Sequence, residues 1–227
     1  SGCFNPRETG GFFCLWQTGS TTMVMRLHPG SDNSVQCGTS IRPVTAQRMT
    51  AIKRTDATPL VSIICRTMNR NSLQDTLRSV LNQDWPALEL VLVDAANVGT
   101  DVLAGTAYKI TQAAHVELNT VTTGTPLSRP QAANAGLAAA TGSHVLFLDD
   151  DDWIASDHIS RLTAAVKQHP DHQVIYSATQ KTDADGSLLD EIIAVPFDRT
   201  VLRRDNFIPI HAALFSSTLR NTGCHFD

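Results

Sequence analysis

The sequence predicts an α/β protein: a doubly wound, mostly parallel sheet with flanking helices, preceded by a small N-terminal β-hairpin appendage. Three observations carry that prediction. From Pro59 onward, short apolar runs alternate with stretches whose apolar residues recur at helical spacing, the mark of repeated β-α-β units. The run Val145 to Leu148 is apolar throughout, as strands covered on both faces are. Residues 1–57 lack this alternation, which divides the chain into an appendage (or the remnant of an upstream module) over 1–57 and an α/β domain over 58–227.

Within the first part, residues 12–16 and 21–27 are strand-like and are expected to pair as a hairpin across Thr18-Gly19-Ser20. Residues 28–40, rich in Gly, Ser and Asn, read as loop, and residues 44–54, after Pro43, as a short helix. So few apolar anchors do not hold a core alone, and an isolated hairpin is marginal.

In the α/β domain, residues 60–65 form the first buried strand. Ser72 with Asp75 three positions on predicts a capping box, opening a helix whose apolar face is Leu73, Leu77, Val80 and Leu81. After Pro86 comes the strand 89–93, ending at Asp94. A polar helix over 101–114 and a strand over 116–121 follow. Ser128-Arg129-Pro130-Gln131 is a second capping signal with Pro in the first turn. The helix it opens consists almost wholly of small residues up to Ala140, which lets it lie close on a sheet. Strand 144–148 is next, then a helix capped by Ser156 and carrying Ile159, Leu162 and Val166. Strands over 174–177, 188–195 and 211–215 complete the pattern.

Strand 144–148 runs straight into Asp149-Asp150-Asp151-Asp152. The chain has 18 basic and 22 acidic residues, so these four account for its whole excess of negative charge. Two carboxylates about 4 Å apart repel by roughly 4 kcal/mol at an effective dielectric near 20. Such a tetrad calls for a cation, and Mg²⁺ or Mn²⁺ suits hard oxygen ligands. In extended geometry Asp149 and Asp151 face one way and Asp150 and Asp152 the other, giving an Asp-x-Asp metal pair. An acidic surface loop is the plain alternative. The carboxyl ends of strands are where open α/β sheets bind ligands. There the tetrad should meet Arg66-Thr67-Met68-Asn69-Arg70 after the first strand and Asp94 after the second. Arg129, at a helix N-terminus, adds an anion site. Singly, Arg66 or Arg129 suits a surface ion pair and Asn134 a helix-to-loop hydrogen bond. Together they suit a diphosphate with its ion. His211 is a further candidate, as metal ligand, acceptor contact or structural histidine.

These residues resemble the family 2 glycosyltransferases of the GT-A fold. The resemblance rests on Val61 to Arg70, on Ser79-Val80-Leu81-Asn82-Gln83-Asp84 with Glu89 to Asp94, and on Arg129 through Asn134-Ala135-Gly136 to Phe147-Leu148-Asp149-Asp150-Asp151-Asp152-Trp153. It implies inverting transfer of a sugar from a nucleotide-diphospho-sugar donor to a saccharide or lipid-linked acceptor, in cell-surface polysaccharide or glycoconjugate synthesis. It implies that Asp94 and Thr67 sit by the nucleoside, within a donor site that includes Arg66, Asn69 and Asp150. Asp149 would reach ribose and metal, Asp151 would be the chief metal ligand, and Arg129 and Asn134 would border the pocket. Met68 and Ala95 stand where the family often has an aromatic and a second acid, which leaves the donor base open. The family's catalytic base falls in a Glu-Asp pair beyond a Phe-Asp like Phe226-Asp227. No catalytic residue is therefore expected within the chain, which reads as the donor-binding part of a longer enzyme.

Two other readings stand beside this one. A nucleotidyltransferase of related fold would carry a Gly-rich loop after the first strand, and residues 66–72 contain no glycine. A catalytically silent nucleotide-sugar-binding module would lack only the base. Neither a basic stripe nor aromatic stacking residues point to nucleic acid. No run is long enough to cross a membrane and no signal peptide is visible. Five scattered cysteines without metal spacing suit the cytoplasm, with the membrane surface open for the full-length protein.

Overall fold

The computed structural model describes residues 58–108, 112–113, 115–183, 187–223 and 225–227, together with the backbone of three short strands before them. Those three are β1 (Phe12–Cys14), β2 (Met23–Met25) and β3 (Thr45–Arg48). The elements that follow are β4 (Val61–Thr67), α1 (Leu73–Leu81), β5 (Leu88–Asp94), α2 (Thr100–Thr106) and β6 (Val116–Thr122). Next come α3 (Arg129–Ala139), β7 (His144–Asp149), β8 (Trp153–Ile154) and α4 (His158–Gln168). The last are β9 (Val174–Tyr176), β10 (Thr179–Thr182), β11 (Leu188–Ile193), α5 (Arg199–Leu202) and β12 (Ala213–Ser216).

The main sheet has the order β2-β9-β12-β7-β4-β5-β6-β3. Its centre, β7-β4-β5-β6, is parallel, and β12, β9, β2 and β3 extend it antiparallel. Alternation along β4 sends Val61, Ile63 and Cys65 to one face, where α1, α2 and α4 contribute Leu73, Leu77, Leu103, Ile159 and Leu162. Ile64 goes to the other, against Ala132, Ala133 and Ala135 of α3. Helices on both faces of a mostly parallel sheet are the doubly wound architecture the sequence predicts. A smaller sheet, β11-β10-β1-β8, lies apart in pairing from the main one.

The N-terminal strands differ from expectation. β1 and β2 do not form a hairpin: β1 pairs with β10 and β8, and β2 pairs with β9. An isolated hairpin gains little, whereas β2 completes an edge of the main sheet and β1 pairs on both sides, between β10 and β8. Residues 45–48 are not helical, since β3 covers the edge of β6 for the same reason. The loop expected over 28–40 lies outside the described residues, as does part of the helix expected over 101–114.

Local signals fared unevenly. Ser128 makes the full capping box, accepting from Gln131 N while the Gln131 side chain accepts from Ser128 N at 2.9 Å. Ser72 makes no side-chain cap, and Asp75 pairs with Arg78 at 2.6 Å instead. Helix α4 starts after Asp157, not Ser156. No helix among the described residues is long and apolar enough to cross a membrane.

Candidate functional site: four aspartates at the end of β7

Parallel pairing fixes the site. Arg66 at the end of β4 stands opposite Asp149 on β7, and Thr67 stands opposite Asp94 on β5. Three polar strand ends lie side by side, as the sequence predicts. The tetrad, however, does not continue extended. Asp152 N donates to Asp149 O at 3.2 Å, closing a turn that cancels the two-residue alternation. Asp149, Asp151 and Asp152 gather on one side with ligand oxygens within 4.8 Å of one another, and Asp150 turns into the loop after β4.

Each carboxylate then has its own partner. Asp149 accepts from Arg66 Nε at 2.8 Å and from its Nη2, with Arg129 Nη2 at 4.0 Å. Asp150, 2% exposed, accepts from Thr67 Oγ1 at 2.9 Å, Met68 N at 2.8 Å and Arg70 Nη1 at 3.0 Å. Asp151 accepts from the same Arg70 nitrogen at 2.9 Å. Asp152 meets His211 Nδ1 at 3.1 Å. Asn69 adopts φ +57° and donates its N–H to Thr67 Oγ1 at 2.7 Å, turning the chain so that Arg70 comes back over the tetrad. The repulsion that seemed to demand a metal is thus largely met by the protein's own arginines and histidine.

The cluster also fits a divalent ion. Its open part is a set of hard carboxylate oxygens, the donor type of Mg²⁺ and Mn²⁺. Burial, and after it the charge of Asp152, push the Asp151 carboxyl above its ordinary range, with Arg70 opposing. His211 is not in this group of oxygens.

Not every candidate converges. Asn134 is engaged with the chain's last residues, donating to Phe226 O at 2.8 Å and accepting from Phe226 N at 2.9 Å. Asp94, 1% exposed, accepts from Val98 N at 3.0 Å and Gly99 N at 2.9 Å, so it shapes the loop after β5. Arg70 and Asp152 belong to the cluster although the sequence reading left them out of the site. Both stood inside the motifs, but only the turn at Asp149–Asp152 reveals their parts. An apolar cavity of about 250 Å³ lined by Leu137, Val145, Phe147, Phe215 and Phe226 lies on the α3 face and offers little to a charged ligand.

Known proteins resemble this chain in sequence and in fold. An uncharacterized protein of Sinorhizobium fredii is 25% identical over 170 residues, covering 74% of this chain and 18% of its own length. A putative teichuronic acid biosynthesis glycosyltransferase of Bacillus subtilis is 30% identical over 140 residues, covering 61% and 54%. The chain therefore spans between 18% and 54% of the length of these relatives. In structure, residues 1–349 of S. aureus TarS superpose with a TM-score of 0.51 at 18% identity, over 74% of this chain and 50% of that one. That likeness supports the fold. The sequence profile of glycosyl transferase family 2 matches residues 62–220, and with most of its length matched the chain belongs to that family.

Proposed function

We propose that the protein is a metal-dependent transferase that moves a sugar from a nucleotide-diphosphate donor to an acceptor hydroxyl, with inversion at the anomeric carbon. The observation that carries this reading is the meeting of Arg66, Arg70 and Arg129 with Asp149 to Asp152 at adjacent strand ends in a family 2 chain. The name of the Bacillus relative supports a cell-surface polymer or glycoconjugate as product. Action in the cytoplasm, at the membrane surface in the whole protein, suits a lipid-linked or saccharide acceptor.

Asp149, Asp151 and Asp152 would hold Mn²⁺ or Mg²⁺, which when bound supplies Lewis-acid stabilisation of the leaving diphosphate. Arg66 keeps Asp149 oriented. Arg129 faces the diphosphate as an anion site. Thr67 and the loop shaped by Asp94 flank the nucleoside, while Asn69 and Asp150 hold the loop that carries Arg70. Asn134 borders the pocket by anchoring Phe226. Taking the acceptor hydroxyl's proton requires a base. All four clustered carboxylates are committed to other partners, so the base lies elsewhere.

Calorimetry with UDP, GDP and dTDP sugars, with and without Mn²⁺, tests the reading. One donor class should bind tightly only with Mn²⁺, and Asp151→Ala should weaken it by about tenfold or more with an unchanged circular dichroism spectrum. Equal donor affinity without metal, or in that variant, would defeat the proposal. Sugar release or transfer by the same samples separates an enzyme from a silent binding module.

A further inference from the structure

Of the carboxylates around the gap in the cluster, Asp152 is the one held by an imidazole. His211 lies on a 3₁₀ turn, Ile210–Ala212, that leads directly into β12. Strand β12 pairs antiparallel with β7, placing Leu214 opposite Leu146, so the turn is delivered beside the strand that ends in the tetrad. The ring is 2% exposed, and its Nδ1 is 3.1 Å from Asp152 Oδ2. An ionised carboxylate only accepts, so Nδ1 carries the proton of this bond.

The backbone of Asp152 is fixed as well. Its carbonyl accepts from Thr76 Oγ1 at 2.8 Å, and its N–H closes the turn to Asp149. Thr76 is fully buried on α1 and Asp152 is 7% exposed. Asp151, by contrast, has a side chain 54% exposed and is held by a half-exposed arginine. Asp152 is therefore held more rigidly than Asp151, and the groups that hold it are Thr76 and His211.

We propose that His211 is a positioning residue for the cation and not a ligand: its Nδ1–H fixes the plane of the Asp152 carboxylate, which shares the cluster with Asp149 and Asp151. The proposal rests on the metal site of the preceding section. A carboxylate free to rotate must be ordered when the ion binds, and groups that hold a ligand in place are worth about 10–100-fold in metal affinity.

The test is calorimetric titration of the intact protein with Mn²⁺ alone, beside thermal denaturation of the metal-free form. His211→Leu should weaken Mn²⁺ about 10–100-fold. His211→Asn, whose amide N–H reaches the same carboxylate oxygen, should recover most of that loss. A purely structural histidine would lower the melting temperature in both variants with native Mn²⁺ affinity, and that result overturns the proposal. His211→Asn as weak as His211→Leu makes the imidazole a ligand and overturns it too. Where His211→Leu does not fold, His211→Asn decides, native-like affinity supporting the proposal and lost affinity refuting it. A wild-type protein that binds donor but no Mn²⁺ removes the metal site itself, a failure distinct from the others.

Discussion

Asp150 and Asp151 are neighbours of the same chemical type with opposite expectations on replacement. Asp150 is buried and accepts three hydrogen bonds from Thr67, Met68 and Arg70. Asp150→Ala leaves the buried Thr67 hydroxyl and the Met68 N–H without that acceptor, a loss of about 2–4 kcal/mol in urea denaturation. Asp151 is half exposed and crowded by like charges, so Asp151→Ala should leave the urea midpoint near the wild-type value. Equal stability of the two variants would show that Asp150 does not organise the loop. Nothing in four identical letters ranks them. Position in the turn does.

At the level of elements, α3 packs close on the sheet because its inner face is Ala132, Ala133, Ala135 and Gly136. A Cβ on Gly136 would collide with Ile64 Cγ2 and come within 3.0 Å of Val93 Cγ2. Gly136→Val should push the helix off β4 and β5 and cost about 1–3 kcal/mol. Gly105 on α2 meets nothing within 4 Å, so Gly105→Ala should instead be neutral or stabilise by up to about 1 kcal/mol. Thermal denaturation of both variants checks the contrast, and a common sign would contradict it. The small-residue run made this close approach legible in advance. Glu89 was not legible: it lies buried in β5, accepting from Ser62 Oγ at 2.5 Å and Thr141 N at 2.7 Å. There it ties the start of β4 to the turn after α3.

For the molecule as a whole, acid stability should be governed partly by His158. Full burial pushes this histidine down to about 3 from its ordinary 6.5. The unfolded chain takes up a proton below about pH 6.5 that the native protein refuses, so this contribution is present above that pH and is lost as pH falls toward 3. The slope reaches about 1.4 kcal/mol per pH unit for this one group. Urea unfolding at pH 7 and pH 5 should show the loss, and His158→Gln should flatten the difference. An unchanged pH dependence in that variant would assign the acid sensitivity to other groups.

Periodicity was enough for most strands and helices between residues 59 and 176, though not for β8 or for the caps at Ser72 and Ser156, because a buried strand and an amphipathic helix each write their packing into local residue spacing. The same holds for the arrival of the β4, β5 and β7 ends at one edge, since β-α-β connections leave few other arrangements. What required the folded chain was every contact that a neighbour in space supplies. β2 and β3 took partners from distant strands because an open sheet edge offers more hydrogen bonds than a local hairpin, and β1 pairs on both sides, between β10 and β8. The aspartates lost their alternation because the chain turns there, and Asn134 and Asp94 went to backbone groups no spacing could foresee. Local pattern set which elements form, and long-range pairing set which charge meets which.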